Sequence, residues 1–222
     1  MNDLIEQFFN IDIMRQALPY LMTGLMITLV LTAVLAPVGF VIGLGFALLS
    51  EARSPVVRWI VRTWVNVFRT MPPLVLIIVT FSALPFLGIS LPAIMCAIIA
   101  LLLNNTAYYC EIIRAGLGSV SPGQMEAARS TGLGYRDSLR FVVLPQALRN
   151  VLPDLASNTI EVVKATSLVS IVGVHDLLYS ASTIRSVTFN TSSLTLAAII
   201  YLLILLPAVR LSGRLERKPQ AV

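Results

Sequence analysis

Four residues stand out for the chemistry they could do. Glu161 and Lys164 lie three apart in an otherwise apolar run, and the adjacent amides Asn104 and Asn105 interrupt another. A charge in apolar surroundings is costly unless it meets an opposite charge or a polar ligand. At a spacing of three, Glu161 and Lys164 share one helical face. Two readings are open: they neutralise each other, or they hold the ammonium and carboxylate of an amino acid, which carries the complementary pair. Asn104 and Asn105 must likewise find hydrogen-bond partners, either on neighbouring helices or in a polar solute. Nothing here points to covalent chemistry. The single His175 has no partner at ligand spacing, and no metal-ligand cluster is visible. Cys96 and Cys110 fall about four helical turns apart in one apolar run, so they cannot pair with each other. There is no G-x-x-x-x-G-K-S/T segment with which to cradle a nucleotide. No catalytic residue, metal or cofactor is expected.

The elements that must position these residues are membrane helices. Of 222 residues 57% are hydrophobic and 12% charged, with a mean hydropathy of +0.85, whereas soluble domains carry about 25% charged residues. The N-terminus lacks the basic region and cleavage site of a signal peptide, so the first span is expected to be retained. No charge occurs between Gln16 and Ser50, and Tyr20 to Leu49 is long enough to cross a bilayer with tilt. Pro37 is expected to kink that span, and Gly39, Gly43 and Gly45 to form a small-residue face for a neighbouring helix. Glu51 to Arg69 mixes Arg53, Arg58, Arg62 and Arg69 with Trp59, Trp64 and Phe68, the signature of a helix entering from the membrane interface. Nucleic-acid binding is not expected, since a bilayer anchor accounts for the same residues. Pro72-Pro73 should break or bend this second span, which continues to about Leu84. A turn near Gly88 leads to a third span at about Pro92 to Cys110. A fourth runs from about Leu155 to Val174, and a fifth from about Leu194 to Val209, after a polar segment from His175 to Ser193.

Orientation follows from the basic residues. Glu51–Arg69, Glu111–Asn150 and Arg210–Lys218 together hold 13 of the 16 Lys and Arg residues. Placed inside, they satisfy the positive-inside rule with five spans. The expected organisation is an extracytoplasmic segment 1–19, one transmembrane domain 20–210 with a cytoplasmic loop at about 111–150, and a cytoplasmic tail 211–222.

That loop contains the longest polar stretch, Ser121 to Pro145. Ser121 suits an N-cap, Pro122 the first helical position, and Gln124 the third position of a capping box. The helix through Glu126 and Arg129 should end near Gly132 and Gly134. A second helix should restart near Asp137 and run to Pro145.

Glu126-Ala127-Ala128, Gly132 and Val142-x-Leu144-Pro145 resemble the EAA loop of ABC importer permeases, with Val142 in place of isoleucine. The surrounding segments, Glu111 to Gly116, Gly123-Gln124 and Leu144 to Arg149, are similar to those of the polar amino acid permease family. Lys164 to Leu168 resembles that family's Lys-Asp-Thr-Ser-Leu, with Ala165 replacing the acid. Arg69 to Pro72 resembles its Arg-Gly-Thr-Pro, with the middle residues altered. The resemblance implies an all-α permease of the type I ABC importer fold. It also implies a loop (Gln124, Glu126, Ala127, Ala128, Gly132, Leu144, Pro145) that couples the chain to a cytoplasmic ABC ATPase dimer. A second permease subunit, the same or homologous, and a periplasmic or surface solute-binding protein would complete the assembly. The cargo would be a polar amino acid, with Ala107 to Tyr109 and Ala181 to Ile184 closest to acidic amino acid systems. The site of action would be a bacterial inner membrane, with the N-terminus outside and the C-terminus cytoplasmic. Two alternatives compete: a subunit of an ion-coupled secondary amino acid transporter or channel, and a membrane anchor without transport. Inverted repeats expected of the former are not evident.

Overall fold

The computed structural model describes residues 2–216, and among these the chain is helical with no strand. The helices are α1 (Asn2–Phe9), α2 (Ile11–Ser50), α3 (Pro55–Thr70), α4 (Pro73–Phe86), α5 (Ala93–Ser119), α6 (Pro122–Ser130), α7 (Tyr135–Ser138), α8 (Leu144–Asn150), α9 (Leu152–Thr166), α10 (Leu177–Thr188) and α11 (Ser192–Glu216). A π turn over Leu139–Val143 joins α7 to α8, and a 3-10 segment over Ser167–Val172 extends α9. Arg217 and Lys218, expected in the closing basic anchor, lie outside the described residues. Four helical segments are long and apolar enough to cross a membrane, and the bent pair α3–α4 makes a fifth.

α2 starts earlier than the uncharged run suggests, because the Asn10 side chain caps it by accepting from the Ile13 N–H at 3.1 Å. It is continuous through Pro19 and Pro37. Its buried residues, Leu21, Gly24, Thr28, Leu31, Leu35, Gly39 and Gly43 among them, fall at helical spacings of three and four, so one stripe packs inward while the other faces remain open. At Gly43 a Cβ would lie 2.6 Å from the Tyr109 Cβ and 3.0 Å from the Thr106 carbonyl oxygen. At Gly39 it would lie 2.7 Å from the Asn105 amide nitrogen. These two glycines let α2 and α5 meet closely. Gly45 is different, with nothing within 4 Å, because a spacing of two turns it off the packing stripe.

The break after α3 is sharp, at 101°. Met71 is extended (φ −71°, ψ 130°), as the residue before a proline prefers. Pro72 has no N–H to give to the Phe68 carbonyl four residues back. Asn104 supplies the missing donor: its Nδ2 donates to Phe68 O at 2.8 Å and to Met71 O at 3.3 Å.

The polar segment from His175 to Ser193 contains a helix that its serines and threonines conceal. Asp176 caps α10 by accepting from the Tyr179 N–H at 2.9 Å. Leu177 and Ala181 are buried on one face, with Ile184 packed beside them, against Ala17 and Leu21 of α2 and Ala197 and Ile200 of α11. Gly24 permits this contact, since a Cβ there would meet the Asp176 carbonyl oxygen at 2.5 Å.

Candidate functional site

Two regions could carry function: the cytoplasmic-type loop and a cavity in the flank of the bundle. In the loop, α6 forms where expected, but the capping box does not. The Ser121 side chain makes no capping bond. Gln124 Oε1 instead accepts from Gln146 Nε2 at 3.3 Å, tying the two limbs of the loop together. Glu126 and Ala127 are exposed while Ala128 is buried. The buried side of the loop rests on Leu117, Val143 and Ala147, with Met125, Leu139 and Leu144 packed against them. Gly132 follows the helix end at φ +93°, a conformation that glycine adopts without the steric cost other residues meet. Asn150 Nδ2 donates to Ser119 Oγ at 2.8 Å, which braces α8 against α5. At Gly116 a Cβ would lie 2.8 Å from the Ala147 carbonyl oxygen, so the two helices also touch through backbone.

The second loop helix does not stop at Pro145. It passes from α7 through the π turn into α8 and reaches Asn150. The wider turn lets the Leu144 N–H reach back five residues to Leu139 O, just where Pro145 removes a donor and crowds the preceding turn. Gln146 Nε2 donates to Val142 O at 2.8 Å across the same stretch.

The cavity, of about 250 Å³, opens between α2, α4, α5 and α9, and its polar lining is Asn104, Asn105, Tyr108, Asn158 and Glu161. Asn105 Nδ2 donates to Leu35 O at 3.3 Å, and its Oδ1 accepts from Asn158 Nδ2 at 3.0 Å. Asn104 and Asn105 therefore satisfy the packing reading through these bonds while still lining a polar recess. Lys164 is not part of the lining; it forms an ion pair with Glu161. Both stand on the open flank of the chain, Glu161 65% exposed at the cavity and Lys164 49% exposed beside it. The sequence reading missed Asn158 and Tyr108. Asn158 stands three residues before Glu161, the same spacing that singled out Lys164.

At the end of α5 near the loop, Arg114 grips Glu111 with two bonds, Nε to Oε2 at 3.1 Å and a terminal nitrogen to Oε1 at 2.6 Å. Arg69 reaches the same oxygen at 3.3 Å, fastening the end of α3 to α5. His175 sits edge-on to Tyr179 with ring centroids 4.5 Å apart. Cys96 and Cys110 are both buried thiols. Among the described residues no group of three or more His, Cys, Asp or Glu side chains could hold a metal.

Comparison with known proteins adds a second line. The family model described as "Binding-protein-dependent transport system inner membrane component" matches residues 39–220. The chain is 34% identical over 214 residues to the Bacillus subtilis protein named "Probable amino-acid ABC transporter permease protein YckA", covering 96% of this chain and 95% of that one. It is 34% identical over 212 residues to the glutamate/aspartate import permease protein GltK of Escherichia coli O157:H7, covering 91% and 94%. A crystal structure of an amino acid ABC transporter with histidines superposes with a TM-score of 0.84 at 35% identity, covering 92% of this chain and 96% of that one.

Proposed function

This chain belongs to the family of binding-protein-dependent transport system inner membrane components, and from that premise we propose that it moves a polar amino acid inward by alternating access driven by a separate ATPase. Its class is that of the amino-acid ABC importer permeases, and it is a transport subunit rather than an enzyme. The observation that carries the coupling half of the reading is the construction of α6. It is a short helix with Glu126 and Ala127 outward, backed by a small apolar core and tied to its return limb by Gln124 and Gln146. A helix braced in this way transmits a push that a flexible loop would dissipate. Gln124, Glu126, Ala127 and Gly132 form the face offered to a cytoplasmic ATPase dimer, Ala128 seats α6 on its inner side, and Leu144 and Pro145 hold the return limb.

The solute pathway runs past Asn104, Asn105 and Glu161, with Lys164 setting the charge beside Glu161. Five spans with an open flank enclose no channel, so a second permease subunit, the same or homologous, closes the pathway. A periplasmic or surface-tethered binding protein delivers the amino acid. Glutamate or aspartate is the proposed cargo, on the likeness to GltK. The chain sits in a bacterial inner membrane with its N-terminus outside and its C-terminus cytoplasmic, as the basic-residue count supports.

Reconstitution tests this. Proteoliposomes holding the permease with its ATPase should accumulate radiolabelled glutamate only when ATP and the binding protein are both supplied. Uptake driven by an ion gradient without ATP would transfer the chain to the secondary-transporter class.

A further inference from the structure

A groove of about 920 Å³ lies between the end of α2 and the start of α7, apart from the solute cavity and lined by none of its residues. Its two parts differ chemically. The wall contributed by α2 is apolar: Gly45, Leu48 and Leu49. It continues along the same helix face through Val38, Val41 and Ile42, which are exposed, as is Leu49. Positions 38, 41, 42, 45 and 49 follow helical spacing, so they form one stripe. Gly45 is a notch in that stripe, with nothing within 4 Å of where its side chain would begin. The rim carries Glu51 and Arg53 from the turn after α2 and Arg136 and Asp137 from α7, with Tyr135 beside them. None of these four charged residues belongs to an ion pair among the described residues.

The uncharged run of α2 ends at Ser50, so the apolar wall lies in the hydrocarbon and the rim in the headgroup layer. We propose that the groove binds a phospholipid with a zwitterionic, primary-amine headgroup. One acyl chain lies along the stripe from Val38 to Leu49 and fills the notch at Gly45. The phosphate meets Arg53 and Arg136, whose guanidinium groups suit its oxygens. The ammonium meets Glu51 and Asp137. An anionic headgroup fits less well, because it would satisfy the two arginines and leave two carboxylates uncompensated in the same rim. A protein partner fits less well too, since the wall is continuous with the outward stripe of α2, which acyl chains cover. The bound lipid would join α2 to α7 and so stiffen the side of the loop remote from the Gln124–Gln146 bond.

Native mass spectrometry of the permease with its ATPase, delipidated and then titrated with phosphatidylethanolamine or phosphatidylglycerol, tests this. The expected result is phosphatidylethanolamine retained in preference to phosphatidylglycerol. Removing both rim arginines in R53Q/R136Q should weaken that retention on the order of tenfold, given the contribution of a basic residue near a lipid surface. Should that variant fail to assemble, Gly45→Phe fills the notch without touching a charge and should displace the same lipid. Equal retention of the two lipids, retention unchanged by either variant, or disulfide capture of Gly45→Cys by the ATPase would each overturn the proposal.

Discussion

Asn158 Nδ2 donates to Asn105 Oδ1 at 3.0 Å, and this bond joins α9 to α5 at the wall where Glu161 stands, one turn further along α9. Asn105 in turn donates to the Leu35 carbonyl of α2. Three helices are thus locked together beside the cavity, and Glu161 is carried on the locked frame rather than on a mobile loop. Its carboxyl is the acidic group among the polar residues lining that recess.

Replacing Glu161 with glutamine keeps the size and polarity of the side chain and removes its charge. Assembly with the ATPase should be preserved, because Glu161 stands on α9 and not in the loop that carries α6. Uptake should fall by an order of magnitude or more in the reconstituted system. Wild-type uptake by Glu161→Gln, or by the variant that makes both Glu161 and Lys164 apolar, would remove the pair from the pathway.

At Gly132 the backbone sits at φ +93° with open space around it. Alanine there meets no neighbour, so its cost, roughly 1 kcal/mol, is backbone strain alone. Gly132→Asp adds a carboxylate to the surface proposed to meet the ATPase. Membrane abundance should match wild type for both variants by immunoblotting. Uptake should be reduced in Gly132→Ala and lost in Gly132→Asp, with binding-protein-stimulated ATP hydrolysis falling in parallel. Normal uptake and normal ATPase binding by Gly132→Asp would deprive the loop of its coupling role.

Orientation can be read by thiol labelling after the buried Cys96 and Cys110 are replaced. Ser193 is a poor reporter, being fully buried with its hydroxyl donated to the Ala181 carbonyl at 2.8 Å. Val187 is 74% exposed and serves instead. Val187→Cys should react with an impermeant maleimide from outside, and Ser130→Cys only after permeabilisation. The reverse pattern would invert the topology.

Asp176, between the fourth and fifth spans, is fully buried, and its Oδ2 has no hydrogen-bond partner. Burial pushes its carboxyl up to about 6, against about 3.9 in an unfolded chain. Around it are Thr28 of α2, Tyr201 of α11, which also has a buried hydroxyl without a partner, and the neighbouring His175. Because folding raises this value, the protonated group's stabilising contribution is complete below about pH 4 and is lost as pH rises through 6. Asp176→Asn keeps an acceptor for the Tyr179 N–H without the charge. Between pH 5 and 7.5 the wild-type complex should lose thermal stability relative to Asp176→Asn, by about 1.4 kcal/mol. A stability difference that does not change with pH would contradict this.

Much of this architecture was legible from local rules. The break at Pro72-Pro73 follows from a missing donor, and the end of α6 follows from Gly132. The uncharged runs mark the spans because a bilayer penalises charge at every position. What escaped depended on contacts distant in sequence. α10 was hidden because serine and threonine are poor helix formers, and the helix survives by packing Leu177 and Ala181 on α2 and α11. The π turn was invisible because Pro145 reads as a helix stop unless the preceding turn widens. Gly45 looked like part of a packing face on composition, although its spacing already turns it away. The cavity was half legible: Glu161 and the paired amides declared themselves, whereas Asn158 looked like any polar residue on a helix and Lys164 falls outside the lining.

Glu161 and Lys164 also decide how the chain fares before it has partners. They stand outward on a helix that is apolar enough to cross the bilayer. In a solitary copy this flank would meet acyl chains, where a charged residue at the centre of a helix costs roughly 3 kcal/mol and pairing the two offsets only part of that. Association that covers this flank would relieve that cost, so a second subunit would gain from shielding charge as well as from apolar packing. An orphan subunit would therefore carry a polar blemish on its lipid-facing side, which assembly would cover.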